Sequence, residues 1–331
     1  MKNLALLAAA LGAGFSSFAE PTNSLENFSP HFSTNTEIIW AAPTNLLPKN
    51  LWIYKRLPAR PFSASVISNA FALASLPDKQ IPKPSLEPFY IWAPSLGEGM
   101  RRDVLSIRPA STTIYFSPSN QSLSTNDVPD EETVTKRAYE YAARFGLDRA
   151  HLIYKKVYVS SKASGSDQTL TNGICARGIF LSRKLGGIGF FGDADNSSDG
   201  FAIEFGSHGQ IRSFSLIWPN LETNHLEKTA SPQQLIAAVR GHKIIVLPNP
   251  DDETYFERLK TLAIAKRFTI TKITPCYGEG LIGVVPTNDV PPEFIIPFAE
   301  LEAVADFGKS NMTVRFVSPF IASDLQRFNV R

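Results

Sequence analysis

The sequence predicts an α+β protein made of repeated modules, each one helix packed on an antiparallel β-meander. Composition is the first reason: only 19% of the 331 residues are charged, Pro (24) outnumbers Gly (20), and Phe alone contributes 23. That balance favours strands and turns over long helices, while 43% hydrophobic residues supply a core and exclude disordered, collagen-like and coiled-coil chains. The second reason is order along the chain, where a capped helical segment is repeatedly followed by short strand-like runs.

Residues 1–19 read as a signal peptide: Lys2, an apolar run from Leu4 to Phe15, then Ser17-Phe18-Ala19 as a small-residue cleavage site. Residues 20–50, rich in Pro, Ser, Thr and Asn, read as an extended or poorly ordered lead-in. A first α+β module is expected over 51–125. Leu51-Trp52-Ile53-Tyr54 opens it as a strand, and Ser63 caps a helix whose Val66, Ala70, Phe71 and Leu73 share a face. Strands at Phe89 to Ala93 and Val104 to Phe116 follow.

The second module, 126–228, starts at Pro129-Asp130-Glu131-Glu132. Val134, Ala138, Tyr141 and Phe145 recur at helical spacing before Gly146. Strands are expected at Leu152 to Ser160 and Ile174 to Leu185. A hairpin is expected between Phe201 to Phe205 and Ile211 to Trp218, across Gly206-Ser207-His208-Gly209. The third module, 229–331, opens on Ser231-Pro232-Gln233-Gln234, which combines a Ser cap, Pro at the first helical position and Gln at the capping-box position. A strand from Lys243, a helix from Asp251 to about Lys266, and strands at Phe268 to Thr274, Phe294 to Asp306 and Met312 to Phe316 complete it.

Charge and cysteines bound the function. Removing residues 1–19 takes away Lys2 alone among the charges and leaves a formal +1, so the mature chain carries no electrostatic footprint for nucleic acid or an anionic membrane. No later run is long and apolar enough to anchor it after cleavage, and with the signal-peptide pattern at its start the protein is expected to be secreted or periplasmic. There Cys175 and Cys276 could form a disulfide worth about 4–5 kcal/mol in the chain-entropy model. The alternative is that each is a small buried hydrophobe in a strand.

The helix start Thr229-Ala230-Ser231-Pro232-Gln233-Gln234 and the hairpin Phe201 to Ile211 resemble the PepSY-type modules of exported bacterial proteins. So does Thr269 to Pro319, with Cys276-Tyr277-Gly278-Glu279 and the Phe294 to Asp306 strand. The resemblance spans roughly the C-terminal two thirds. It implies a non-catalytic extracytoplasmic module that binds or restrains a protein or peptide partner, with no catalytic residues to carry over.

Several motifs compete with that expectation. Asp193, Asp195, Ser197, Asp199 and Glu204 occupy positions 1, 3, 5, 7 and 12 of a calcium loop, but Ser198 stands where the turn needs Gly and the flanks read as strands. The pattern is either a calcium site of another geometry or a solvated turn. Gly187-Ile188-Gly189-Phe190-Phe191-Gly192 fits G-x-G-x-x-G, yet the acidic residues after it cannot open an apolar helix, so no dinucleotide cofactor is expected. Glu300, Glu302 and Asp306 alternate on one strand and could serve an exported hydrolase, or simply face water. Trp52, Tyr54, Tyr90 and Trp92 are candidates for an aromatic platform that takes a glycan or peptide, and equally for core packing. A secreted non-catalytic binding, regulatory or inhibitory protein acting on a protein or peptide partner is therefore expected, with an exported hydrolase using acidic residues and a calcium-dependent surface or glycan-binding protein as alternatives.

Overall fold

The computed structural model describes residues 32–33, 35–45, 47–92, 103–117, 127–162, 173–190, 199–247, 260–279 and 294–322. In chain order the first half holds β1 (Glu37–Trp40), β2 (Asn50–Arg56), α1 (Ala64–Leu73), β3 (Phe89–Trp92), β4 (Asp103–Arg108), β5 (Thr113–Phe116), α2 (Glu131–Arg144), β6 (Leu152–Lys162) and β7 (Gly173–Leu185). The second half holds β8 (Ile188–Gly189), β9 (Gly200–Phe205), β10 (Ile211–Ile217), β11 (Leu221–Lys228), α3 (Pro232–Arg240), β12 (Ile245–Val246), β13 (Arg267–Glu279), β14 (Phe294–Asp306) and β15 (Asn311–Pro319). The protein is thus α+β, with mostly antiparallel sheets and few helices.

The chain forms two compact units instead of the three expected modules. Among described residues the first unit takes 57–187 and 199–220; the second takes 32–56, 188–190 and 221–322. The expected boundary near 125 disappears because β5 pairs with β10, Phe116 opposite Phe214 and Thr113 opposite Ile217. One sheet, ordered β3-β4-β5-β10-β9-β7-β6, therefore takes in most of the first and second modules, while β2 and β11 from their outer ends join the other sheet. A short hairpin such as β4–β5 is marginal alone and gains stability by joining a larger sheet.

Local sequence accounts for the helices of this unit. Ser63 accepts a hydrogen bond from the Val66 amide and starts α1, whose Ile67, Ala70, Phe71 and Leu73 are buried. Asp130 caps α2 by accepting from the Thr133 amide at 2.8 Å, and the hydrogen bonds from Thr133 hold its carboxyl below the usual range. Val134, Ala138 and Ala142 form the buried stripe of α2. They pack with α1 against Ile179, Leu181, Phe201, Ile203, Phe205, Phe214 and Leu216 from the sheet. The expected hairpin is present as β9–β10, with His208 in the left-handed region (φ 54°).

The second unit has the strand order β1-β13-β14-β15-β12, with β2 joining β14 and β11 joining β2. Here the lead-in expectation is corrected: Glu37–Trp40 runs parallel to β13, from Glu37 opposite Arg267 to Trp40 opposite Ile270. Its signal was weak because four residues contribute two inward positions, and their partner lies far along the chain. Residues 251–259 of the expected helix lie outside the described residues, and 260–264 form a 3-10 turn. Helix α3 carries the full capping box between Ser231 and Gln234. It buries Leu235, Ala238 and Val239 against Phe268, Ile270, Leu301, Ala303, Val314 and Phe316.

Ser231→Ala removes one half of that box and leaves an amide of the first turn without its acceptor. It should cost about 1 kcal/mol, read as a lowered urea midpoint at unchanged m.

Candidate functional site

Two places in the structure gather side chains that the strand pattern alone does not explain. The first is a polar cluster on the face of the first unit's sheet away from α1 and α2. Phe201, Ile203 and Phe205 point to the helices, so alternation turns Glu204 to the other face. There Ser160 Oγ donates to Glu204 Oε1 at 2.8 Å and Ser213 Oγ donates to Oε2 at 3.1 Å. Arg212 Nη1 lies 3.6 Å from Glu204 Oε1 and 3.6 Å from Cys175 Sγ.

Two bulges bring these groups together. Arg212 is the extra residue in β10, between Ile211 opposite Phe205 and Ser213 opposite Glu204. Cys175 is the extra residue in β7, between Ile174 opposite Ser161 and Ala176 opposite Ser160. Each bulge re-aims a side chain toward β9. Two glycines make the room. A Cβ on Gly206 would stand 2.7 Å from Arg212 Cδ, and one on Gly178 would meet the Tyr158 ring. Glu204 and Arg212 side chains are only 9% and 11% exposed, so this is an ion pair in a dry setting and acts as an internal staple.

The second place is the ribbon of β2 and β11. Strand β11 is exposed at Glu222, Thr223, Asn224, His225, Leu226 and Lys228. Among described residues it pairs with β2 alone, which leaves a free sheet edge. Leu226 stands opposite Trp52 in the register, and they are 51% and 42% exposed, an apolar pair on an otherwise polar ribbon. Tyr277 anchors the ribbon beneath it. Its hydroxyl donates to the Trp52 carbonyl at 2.9 Å, and its ring meets Tyr54 edge-on at 5.3 Å. Burial, reinforced by the neighbouring Tyr54, pushes the Tyr277 phenol well above its ordinary range, so it stays a donor.

The predicted site residues divide accordingly. Of the aromatic platform, Trp52 and Tyr54 share a face of β2 in the second unit, while Tyr90 and Trp92 lie on β3 in the first. Tyr54 is buried, leaving Trp52 as the open ring of its pair, and the Trp92 side chain falls outside the described residues. Of the calcium set, Asp193, Asp195 and Ser197 lie outside the described residues. Asp199 and Glu204 fall on opposite faces of the strand, Asp199 3.7 Å from Arg183 and Glu204 beside Arg212. No group of three candidate metal ligands occurs among the described residues.

The disulfide expectation is corrected. Cys175 and Cys276 are both free and buried, each in the sheet of a different unit. Cys175 Sγ donates to the Ser160 carbonyl at 3.2 Å and Cys276 Sγ to the Phe298 carbonyl at 3.6 Å, the behaviour of small core residues. Of the glycine motif, Ile188 and Gly189 form a short strand and Phe190 is buried against Tyr277, while residues 191–192 and the acidic run up to 198 lie outside the described residues. Of the three carboxylates of β14, Glu300 accepts from Arg315 at 3.0 Å and Asp306 accepts from the Gly308 amide at 2.6 Å, while Glu302 is half-buried on the same strand.

Sequence reasoning missed β11 altogether. Leu-Glu-Thr-Asn-His-Leu-Glu-Lys has neither alternation nor β-formers enough to read as a strand, and its pairing comes from β2. Arg212 was equally hidden, although a lone Glu in the apolar run Phe201 to Phe205 signals a buried partner.

No family model matches the chain, and no curated protein matches it. Among solved structures, the chain is similar to an uncharacterized protein from Eubacterium rectale, at 11% identity and a TM-score of 0.44 over 85% of each chain.

Proposed function

We propose that this is a secreted or periplasmic, non-catalytic protein that binds a protein or peptide partner as an added strand along β11. The carrying observation is the free edge of Leu221–Lys228, exposed along most of its length, with the Trp52–Leu226 pair beside it. Unpaired main-chain groups on an edge are a template for another strand, and apolar side chains next to the edge add contact area to main-chain hydrogen bonding. Export rests on Leu4 to Phe15 and the small-residue end at Ala19. The PepSY-type pattern over Phe201 to Ile211 and Thr229 to Gln234 supports a module that restrains a partner. On the same reading each helix-on-sheet unit is a variant of one repeated design. No helix of the described residues is long and apolar enough to cross a membrane.

Selection of peptides from a displayed library on the mature chain, followed by fluorescence anisotropy, tests the binding. Trp52→Ala and Leu226→Ser should each weaken a selected peptide by about tenfold or more, as anchor truncations do. Both residues are exposed, so the melting temperature should stay within about the scatter of surface substitutions. Peptides indifferent to both changes would overturn the assignment of the edge. Turnover of a hydrolase panel that is lost on one carboxylate substitution would overturn the non-catalytic reading.

A further inference from the structure

Resting on the strand-addition reading, we infer that the partner is an extended basic segment, with Lys or Arg at its first and fifth positions and an apolar residue at its second. The register of the ribbon carries this. Thr223, Leu226 and Lys228 stand opposite Tyr54, Trp52 and Asn50, on one face; Glu222, His225 and Glu227 stand opposite Lys55, Ile53 and Leu51, on the other. In an unbroken strand Glu222 and Glu227, five apart, would lie on opposite faces. The bulge between Thr223 and His225 inserts Asn224 and brings both carboxylates to the same face.

An incoming antiparallel strand meets Glu227, Leu226, His225, Thr223 and Glu222 in turn. Opposite charges directly across a sheet attract and like charges repel, so basic residues are favoured at the first and fifth places. The second place lies over Leu226, which is 51% exposed and flanked by Trp52. The same arrangement opposes a second copy of this chain. An antiparallel self-pairing that overlaps the whole strand and keeps faces matched sets Glu222 of each copy against Glu227 of the other. Two like-charge contacts penalise that register, a device by which edge strands avoid association with their own kind.

The test uses the mature chain and two probe peptides, Thr-Lys-Val-Thr-Val-Lys-Thr and its counterpart with Glu for both Lys. Affinity is measured at low ionic strength, and amide exchange is followed over residues 221–228. The Lys peptide should bind about tenfold tighter than the Glu peptide and protect those amides. The double variant Glu222→Lys with Glu227→Lys should reverse the preference. Equal affinities with protection of 221–228 would overturn the basic partner while leaving strand addition standing. Absence of protection by either peptide would overturn strand addition and the inference with it. Protection that rises with protein concentration and needs no peptide would assign the edge to a second copy and overturn the inference alone.

Discussion

Arg212→Ala should destabilise the protein by about 3–5 kcal/mol, because it strands the carboxylate of Glu204 in a dry site. Glu204 would keep the hydroxyls of Ser160 and Ser213 but lose its neighbouring positive charge. Glu204→Ala should be comparably severe, since it leaves the guanidinium buried and both serine hydroxyls without their acceptor. The double change Glu204→Leu with Arg212→Met should cost less than either single substitution, because no uncompensated charge remains. Urea denaturation of the parent, the two single alanine variants and the double alanine variant forms a double-mutant cycle, and a coupling near zero would show that the pair is not a unit. An Arg212→Ala cost no larger than that of a surface change, about 0.5 kcal/mol, would refute the staple outright.

That staple shows what a linear reading can and cannot reach. Helices were legible because their signals are local. Ser63, Asp130 and Ser231 each sit one residue before their helix and accept the amide three residues on. The hairpin β9–β10 was legible because its turn residues lie between its strands. The parallel addition of β1 to β13 joins partners 230 residues apart and the closure of β5 onto β10 joins partners about a hundred apart, with no motif linking them. The number of units was lost for that reason: strand order, not helix spacing, decides which segments share a core. Bulges hide more still. Cys175, Arg212 and Asn224 each shift a register by one residue, and a shift of one moves every later side chain to the other face. The acidic pair Glu222 and Glu227 therefore becomes a shared feature only in the folded ribbon, while the calcium pattern separates Asp199 from Glu204 across its strand.

Phe268→Ala should cost about 3–5 kcal/mol through the cavity it leaves. Phe268 has no exposed surface, and its ring centroid lies 4.8 Å from that of Phe32 and 5.7 Å from that of Phe316. It sits on β13, flanked by Ile38 of β1 and Ala305 of β14, so little can collapse into the space without moving paired backbone. Thermal and urea unfolding measure the loss. A cost below about 1 kcal/mol would mean that the site relaxes and that the aromatic packing is loose. The informative comparison is with Leu226→Ser on the same sheet. That change should leave stability within about 0.5 kcal/mol yet weaken peptide binding, whereas Phe268→Ala should lower stability and leave affinity intact wherever the protein remains folded. If strand addition at β11 is the function, the two effects must separate in this way, because Leu226 contributes exposed surface and Phe268 only core. A Phe268→Ala protein that is fully folded but no longer binds would instead place the partner against the buried sheet and away from its edge.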